Sequence, residues 1–281
     1  MIRFTATLPH VLAVSTTLMV GTSLADSHTT IITKNTPTNF ATRTEQEGTT
    51  AFTALSISHG CSAPDSTLSK PVIAQSILFP NGANSIATIG DTVVNLSEHI
   101  EGNAVMAPTP VQNHNVFQFI SVLQGPVPLF TQHGEKTEDN RAFQYKSGYL
   151  QTDLVGVVPF RVTFPTIKET SCVSSLTINL AVANYCTRSN HDPDRADIWI
   201  GQLTPLFNDA TVVSVGFWPS VDVVRDRENN PLPASCDVGE HLVITPSNED
   251  IDRYLPLSGF WPIKVLPGRP PEDSALPGET L

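Results

Sequence analysis

Apolar and polar residues alternate over short runs in this chain, and Pro, Gly, Asn or Asp interrupts the runs at close intervals. The clearest run, Leu176-Thr-Ile-Asn-Leu-Ala-Val, puts Leu176, Ile178, Leu180 and Val182 on one face of a strand. The same period predicts strands at 52–59, 72–79, 116–123, 157–164, 197–202, 211–217 and 241–245. Helical signals are few. Asp91 is placed to cap a short helix reaching Ile100, and Ser247 with Asp250 resembles a capping box before Ile251 to Leu255. The pattern predicts an all-β fold, a β-sandwich-like single domain with long loops and disulfides. GFWP occurs twice, at Gly216–Pro219 and Gly259–Pro262, without a repeat of its surroundings, and reads as a shared strand-end cap.

The two ends depart from this alternation. Arg3 precedes an uncharged stretch from Phe4 to Ala25 that closes on Ser23-Leu24-Ala25, the small-residue pattern of a signal-peptidase site. Residues 1–25 are thus expected to be a secretory signal peptide. Residues 26–50, rich in Thr, Asn and Glu, read as a flexible stalk, and 267–281, with Pro270, Pro271 and Pro277, as a disordered tail. The β domain is expected over 51–266. No later apolar run approaches the ~20 residues of a membrane helix, so a spanning role is not expected.

Four cysteines, Cys61, Cys172, Cys186 and Cys236, imply two disulfides in an exported chain. A single strand over Leu176–Ala183 would hold Cys172 and Cys186 roughly 30 Å apart at ~3.3 Å per residue, so each should pair with Cys61 or Cys236, in an order left open. The formal charge is -11, and loss of the one positive charge in the signal segment, Arg3, makes it -12. That argues against nucleic-acid and anionic-membrane partners, which require basic patches. It is compatible with cation binding and equally with an acidic solvated surface.

Enzyme motifs are missing from the sequence: no G-x-S-x-G elbow, H-E-x-x-H pair, phosphate-binding glycine loop or dinucleotide fingerprint. The expected protein is not an enzyme. Histidines carry the remaining chemistry, because imidazole is a common transition-metal ligand and the cysteines are committed elsewhere. His59 shares strand parity with Leu55 and Ile57 and lies beside Cys61, so its ring points to the buried side. There it must be hydrogen-bonded or metal-bound, a core histidine satisfied by a carbonyl being the plainer alternative. His133 shares parity with Val127 and Leu129, and His114 opens the apolar run from Val116 to Leu123. His28 would be the third residue after cleavage at Ala25, a position that supplies a square-planar nitrogen set for copper(II) or nickel(II). Cleavage after Ser27 would make it the first residue instead. His99, His191 and His241 carry less signal. Asp192, Asp194 and Asp197 put three carboxylates in one loop, a calcium candidate without the EF-hand spacing and with Arg195 among them.

Several stretches together resemble the MopE/CorA-type copper-repressible surface proteins of methane-oxidising bacteria: SISHGCSAPDSTLSKPVIAQSILFPNG (Ser56–Gly82), VPFRVTFP (Val158–Pro165), SCVSSLTINLAVANYC (Ser171–Cys186) and DIWIG (Asp197–Gly201). The resemblance spans roughly Phe52 to Pro262. It implies an exported, mainly β protein that binds copper through two histidines, serves copper acquisition and associates with di-haem cytochromes at the cell surface. One member of that group adds a kynurenine ligand in a Trp-x-His arrangement. Here Trp199, Trp218 and Trp261 are followed by Ile-Gly, Pro-Ser and Pro-Ile, so that ligand has no counterpart. The YcnI-type copper proteins are a looser match, since they set an N-terminal histidine against the folded body.

Two functions of different class follow. The first is an exported copper-binding protein for acquisition, storage or delivery at the cell surface or periplasm, with His28, His59, His114 and His133 as candidate ligands. The second is a metal-free secreted β-sandwich interaction module.

Overall fold

Four sheets carry the chain, as seen in a computed structural model that describes residues 30–32, 44–62, 69–102, 105–126 and 138–262. Strands are numbered in chain order. One four-stranded sheet runs β1 (Thr30–Ile32), β3 (Thr50–Ile57), β11 (Gly156–Thr163), β8 (Ala107–Pro110). A six-stranded sheet runs β16 (Val213–Val215), β15 (Ala196–Gly201), β14 (Ala181–Tyr185), β4 (Ala74–Leu78), β10 (Glu138–Gly148), β9 (Phe117–Pro126). A second six-stranded sheet runs β2 (Thr44–Gln46), β17 (Ser220–Val224), β13 (Val173–Asn179), β18 (Glu240–Thr245), β5 (Ile86–Ile89), β6 (Thr92–Val93). β12 (Thr166–Ile167) and β7 (Ile100–Glu101) form a two-stranded ribbon. The protein is thus nearly all β, a sandwich-like single domain with two disulfides.

The main core gathers apolar faces from all the larger sheets, including Leu55, Ile57, Phe143, Phe160, Leu176, Ile178, Val223 and Ile244. β11 shows the half-buried alternation in full, with Val158, Phe160 and Val162 inward and Val157 and Arg161 exposed. The sheet that holds β14 is covered on its other face too. Helix α1 (Asn248–Tyr254) and the C-terminal turns bring Ile251, Leu255, Leu257 and Phe260 against Ala74, Leu78, Ala183 and Ile198. β4 and β14 are therefore buried at every position, with Ala74, Leu78, Ala181, Ala183 and Tyr185 on the helix side and Ile77 and Val182 in the main core.

The run around Leu176 is two strands instead of one. β13 and β14 belong to different sheets, and the chain crosses between them at Leu180, whose N–H is bonded to Pro219 O (2.7 Å). Leu176, Ile178, Leu180 and Val182 still enter one core, because the crossing turns around that core. Cys172 and Cys186 lie on either side of the crossing and pair apart: Cys172 with Cys236, and Cys186 with Cys61.

The helix expected from Asp91 to Ile100 is reduced to one 3-10 turn, Leu96–Glu98, between β6 and β7. Its cap is Asn95, whose side chain accepts from Ser97 N–H, while the β-branched pair Thr92–Val93 is drawn into the sheet edge. Ser247 does cap α1, accepting from the N–H of Asp250. Within the stretch read as a stalk, Thr30–Ile32 pairs with β3 and Thr44–Gln46 lies parallel to β17, so part of that stretch is built into the sheets.

Candidate functional site

His59 sits just past the end of β3, half-buried, in the turn that leads to Cys61. Gly60 makes that turn feasible. A side-chain carbon there would stand 2.0 Å from Lys70 O and 2.9 Å from Thr152 Cγ2, so only glycine fits. Cys61 and Lys70 then exchange backbone bonds (2.9 and 2.8 Å), and Cys61 is tied to Cys186 at the end of β14. The imidazole is fixed within this clamp. Its Nδ1 lies 2.6 Å from Gly60 O, and a carbonyl only accepts, so Nδ1 carries the proton. In the neutral ring Nε2 then presents a bare lone pair. That atom is buried and has no hydrogen-bond partner among the described residues.

The surroundings are polar. Lys70 Nζ forms an ion pair with Asp192, whose carboxyl is held below its usual range chiefly by that hydrogen bond. Asp192 also accepts from the N–H of Asp194 (3.0 Å). Asn190, on the same loop, has its side-chain oxygen buried without a partner among the described residues. Arg195, reached by the same turn, pairs with Asp209 and lies over the Trp261 ring at 4.5 Å. Asp197 is on β15 opposite Asn184. The loop's three carboxylates are thus distributed over a lysine contact, a turn and a strand, and no three His, Cys, Asp or Glu side chains form a metal-sized group among the described residues.

The other histidines divide clearly. His114 is exposed in the turn before β9, with Nε2 2.9 Å from the Gln112 amide. His28 and His133 lie outside the described residues. His99 bonds Ser171 Oγ (2.9 Å). His241, exposed on β18, bridges Ser175 (2.8 Å) and Thr177 (3.1 Å) of β13, and Thr177 passes its own proton to Asp222 of β17 (2.5 Å). Trp199 is buried edge-on to Phe217 at 5.1 Å.

Sequence reading missed a polar centre at the opposite disulfide. Arg225, at the end of β17, is 4% exposed and donates to seven oxygens: the carbonyls of Lys168, Glu169, Ser171, Val173, Asn230 and Pro231, and the side chain of Asn230. Asn230 passes its amide protons to the buried carboxylate of Glu47 and to Ile167 O. Glu47 also takes the N–H groups of Ile167 (2.5 Å) and Asp226 (2.7 Å). Nothing in the local sequence separates these residues from ordinary surface ones, because their partners come from distant loops.

No protein-family model matches the chain, and no curated protein matches it either.

Proposed function

We propose that the protein binds a copper ion through His59 and serves copper acquisition, storage or delivery outside the cytoplasm. The observation that carries this reading is the His59 ring: Nδ1 is bound to Gly60 O, and Nε2 is buried with no partner among the described residues. A carbonyl that fixes the tautomer and aims the other nitrogen is the usual second-shell device behind a histidine ligand. An unpaired buried acceptor costs stability, which a metal ion would return. Imidazole suits copper, nickel and zinc alike, and the choice of copper comes from the sequence resemblance. His114, His28 and His133 are the candidates for further ligands. The two disulfides fit an oxidising compartment, and no helix among the described residues is long and apolar enough to cross a membrane.

Calorimetric titration of the full chain with copper(I) and copper(II), beside His59→Ala, tests the proposal. One-to-one binding that weakens at least about 10-fold in the variant, the scale typical of losing a second-shell or ligand contact, is the expected result. Equal affinity in the two proteins would remove His59 from the site.

A further inference from the structure

We infer that β9 is the interface for a second copy of this chain, paired antiparallel about a two-fold axis. Sheet edges present unpaired N–H and C=O groups, and proteins blunt them with short strands, prolines or charges. Every other edge of the three larger sheets here follows that rule. β1, β2 and β16 have 3 residues each and β6 has 2. β8 has 4, of which Pro108 and Pro110 are two. β9 is the exception. It has 10 residues, its inner side is bonded to β10 throughout, and no described strand lies on its outer side. Phe119 is 61% exposed and Val122 38% exposed along it.

Charge selects the occupant. From Gly102 to Gly134 the sequence holds no Asp, Glu, Lys or Arg, the longest such run in a chain of formal charge -11. Two copies repel one another over most of their surface, and this edge is where they meet without a like-charge contact. A strand meeting its own copy antiparallel supplies an edge of matching length and complementary donors and acceptors, and the resulting two-fold interface closes on itself and leaves no further edge of this kind.

Light scattering coupled to size exclusion, with a concentration series in sedimentation, tests this on the full chain. Twice the chain mass is expected. Phe119→Lys together with Val122→Lys, both at exposed positions, should weaken the dimer at least about 10-fold, the cost of adding like charges on both faces of the paired edge. Val224→Lys, at a residue exposed on β17, should leave the dimer intact and checks that added charge alone is not the cause. Hydrogen exchange should show the amides on the outer side of β9 protected in the dimer and released in the double variant. A monomer at every concentration overturns the inference, and so does a dimer indifferent to the two lysines. Protection of the outer amides in a monomer would mean that another segment of this chain occupies the edge, and would also overturn it.

Discussion

The two disulfides anchor two polar regions built on opposite terms. Around Cys172–Cys236, a buried arginine and a buried glutamate are each satisfied, mostly by backbone groups, with Asn230 bonded to both: Arg225 donates only to oxygens, and Glu47 accepts only from N–H donors. Beside Cys61–Cys186, His59 Nε2 is buried with no partner among the described residues. Buried polar groups are normally satisfied, and each exception asks for a reason. The first region explains itself as architecture, since one guanidinium stitches the loops at 168–173 and 230–231 to the end of β17. The second leaves a lone pair without a partner among the described residues, as a candidate ligand would; Gln75 Oε1, Ser76 Oγ and Tyr145 Oη are buried in the same state on β4 and β10, so it is the fixed ring of His59 and not incompleteness alone that marks the candidate site.

The largest effect should come from breaking the complete region. Arg225→Ala orphans several buried carbonyls and, at ~1–3 kcal/mol for each group left unsatisfied, should cost about 4 kcal/mol or more in urea unfolding. Asn230→Ala removes the bridge while leaving both charged groups buried and should cost about 2–3 kcal/mol by the same accounting. At the other disulfide, Gly60→Ala drives a methyl carbon into Lys70 O, and the backbone shift it forces should cost about 1–3 kcal/mol while displacing His59. His59→Leu sharpens the contrast. It exchanges an imidazole with an unpaired nitrogen for an apolar side chain of similar reach, so the metal-free protein should change by less than about 1 kcal/mol, since removing an unsatisfied buried acceptor offsets the lost bond to Gly60. A loss as large as that of Asn230→Ala would show that the ring is part of the scaffold.

The smallest effect belongs to the partly exposed Lys70–Asp192 pair. Because Asp192 is depressed in the folded state, its contribution is present above the usual carboxylate range and is lost as pH falls through the folded pKa. Asp192→Asn should cost less than about 1 kcal/mol at neutral pH, and the difference from wild type should vanish in acid. A difference that persists at low pH would place the effect in the turn and not in the ion pair.

How far the sequence spoke depends on whether an apolar run is left unbroken. β11 and β18 alternate and were legible, and so was β4, a short run buried on both faces. β10, the longest strand, was not, because Arg141 and Gln144 interrupt the apolar run of its buried residues 141–145. That arginine is accommodated by Asn81 O and by the acidic groups of Asp250 and Asp139, partners the sequence does not place nearby. The alternation through Leu180 was read correctly as a core face and wrongly as a single strand, since period-2 patterning survives a crossing between sheets. The disulfide constraint needed only that Cys172 and Cys186 be held apart, and the crossing holds them apart as one strand would have done. At the site, strand parity was the wrong ground for His59, because β3 ends at Ile57 and the ring is half-buried in the turn beyond it. Parity says nothing of tautomer, which depends on the carbonyl of the next residue and on a turn that only Gly60 permits.

The most direct measurement is nitrogen-15 NMR of the histidine side chains in the full chain, before and after one equivalent of copper(I). The account predicts that His59 starts as the Nδ1-protonated form and that its Nε2 resonance moves on binding, while amides around Arg225 and Glu47 stay where they were. A His59 that starts with its proton on Nε2, or a ring that does not respond while copper binds elsewhere, would contradict it.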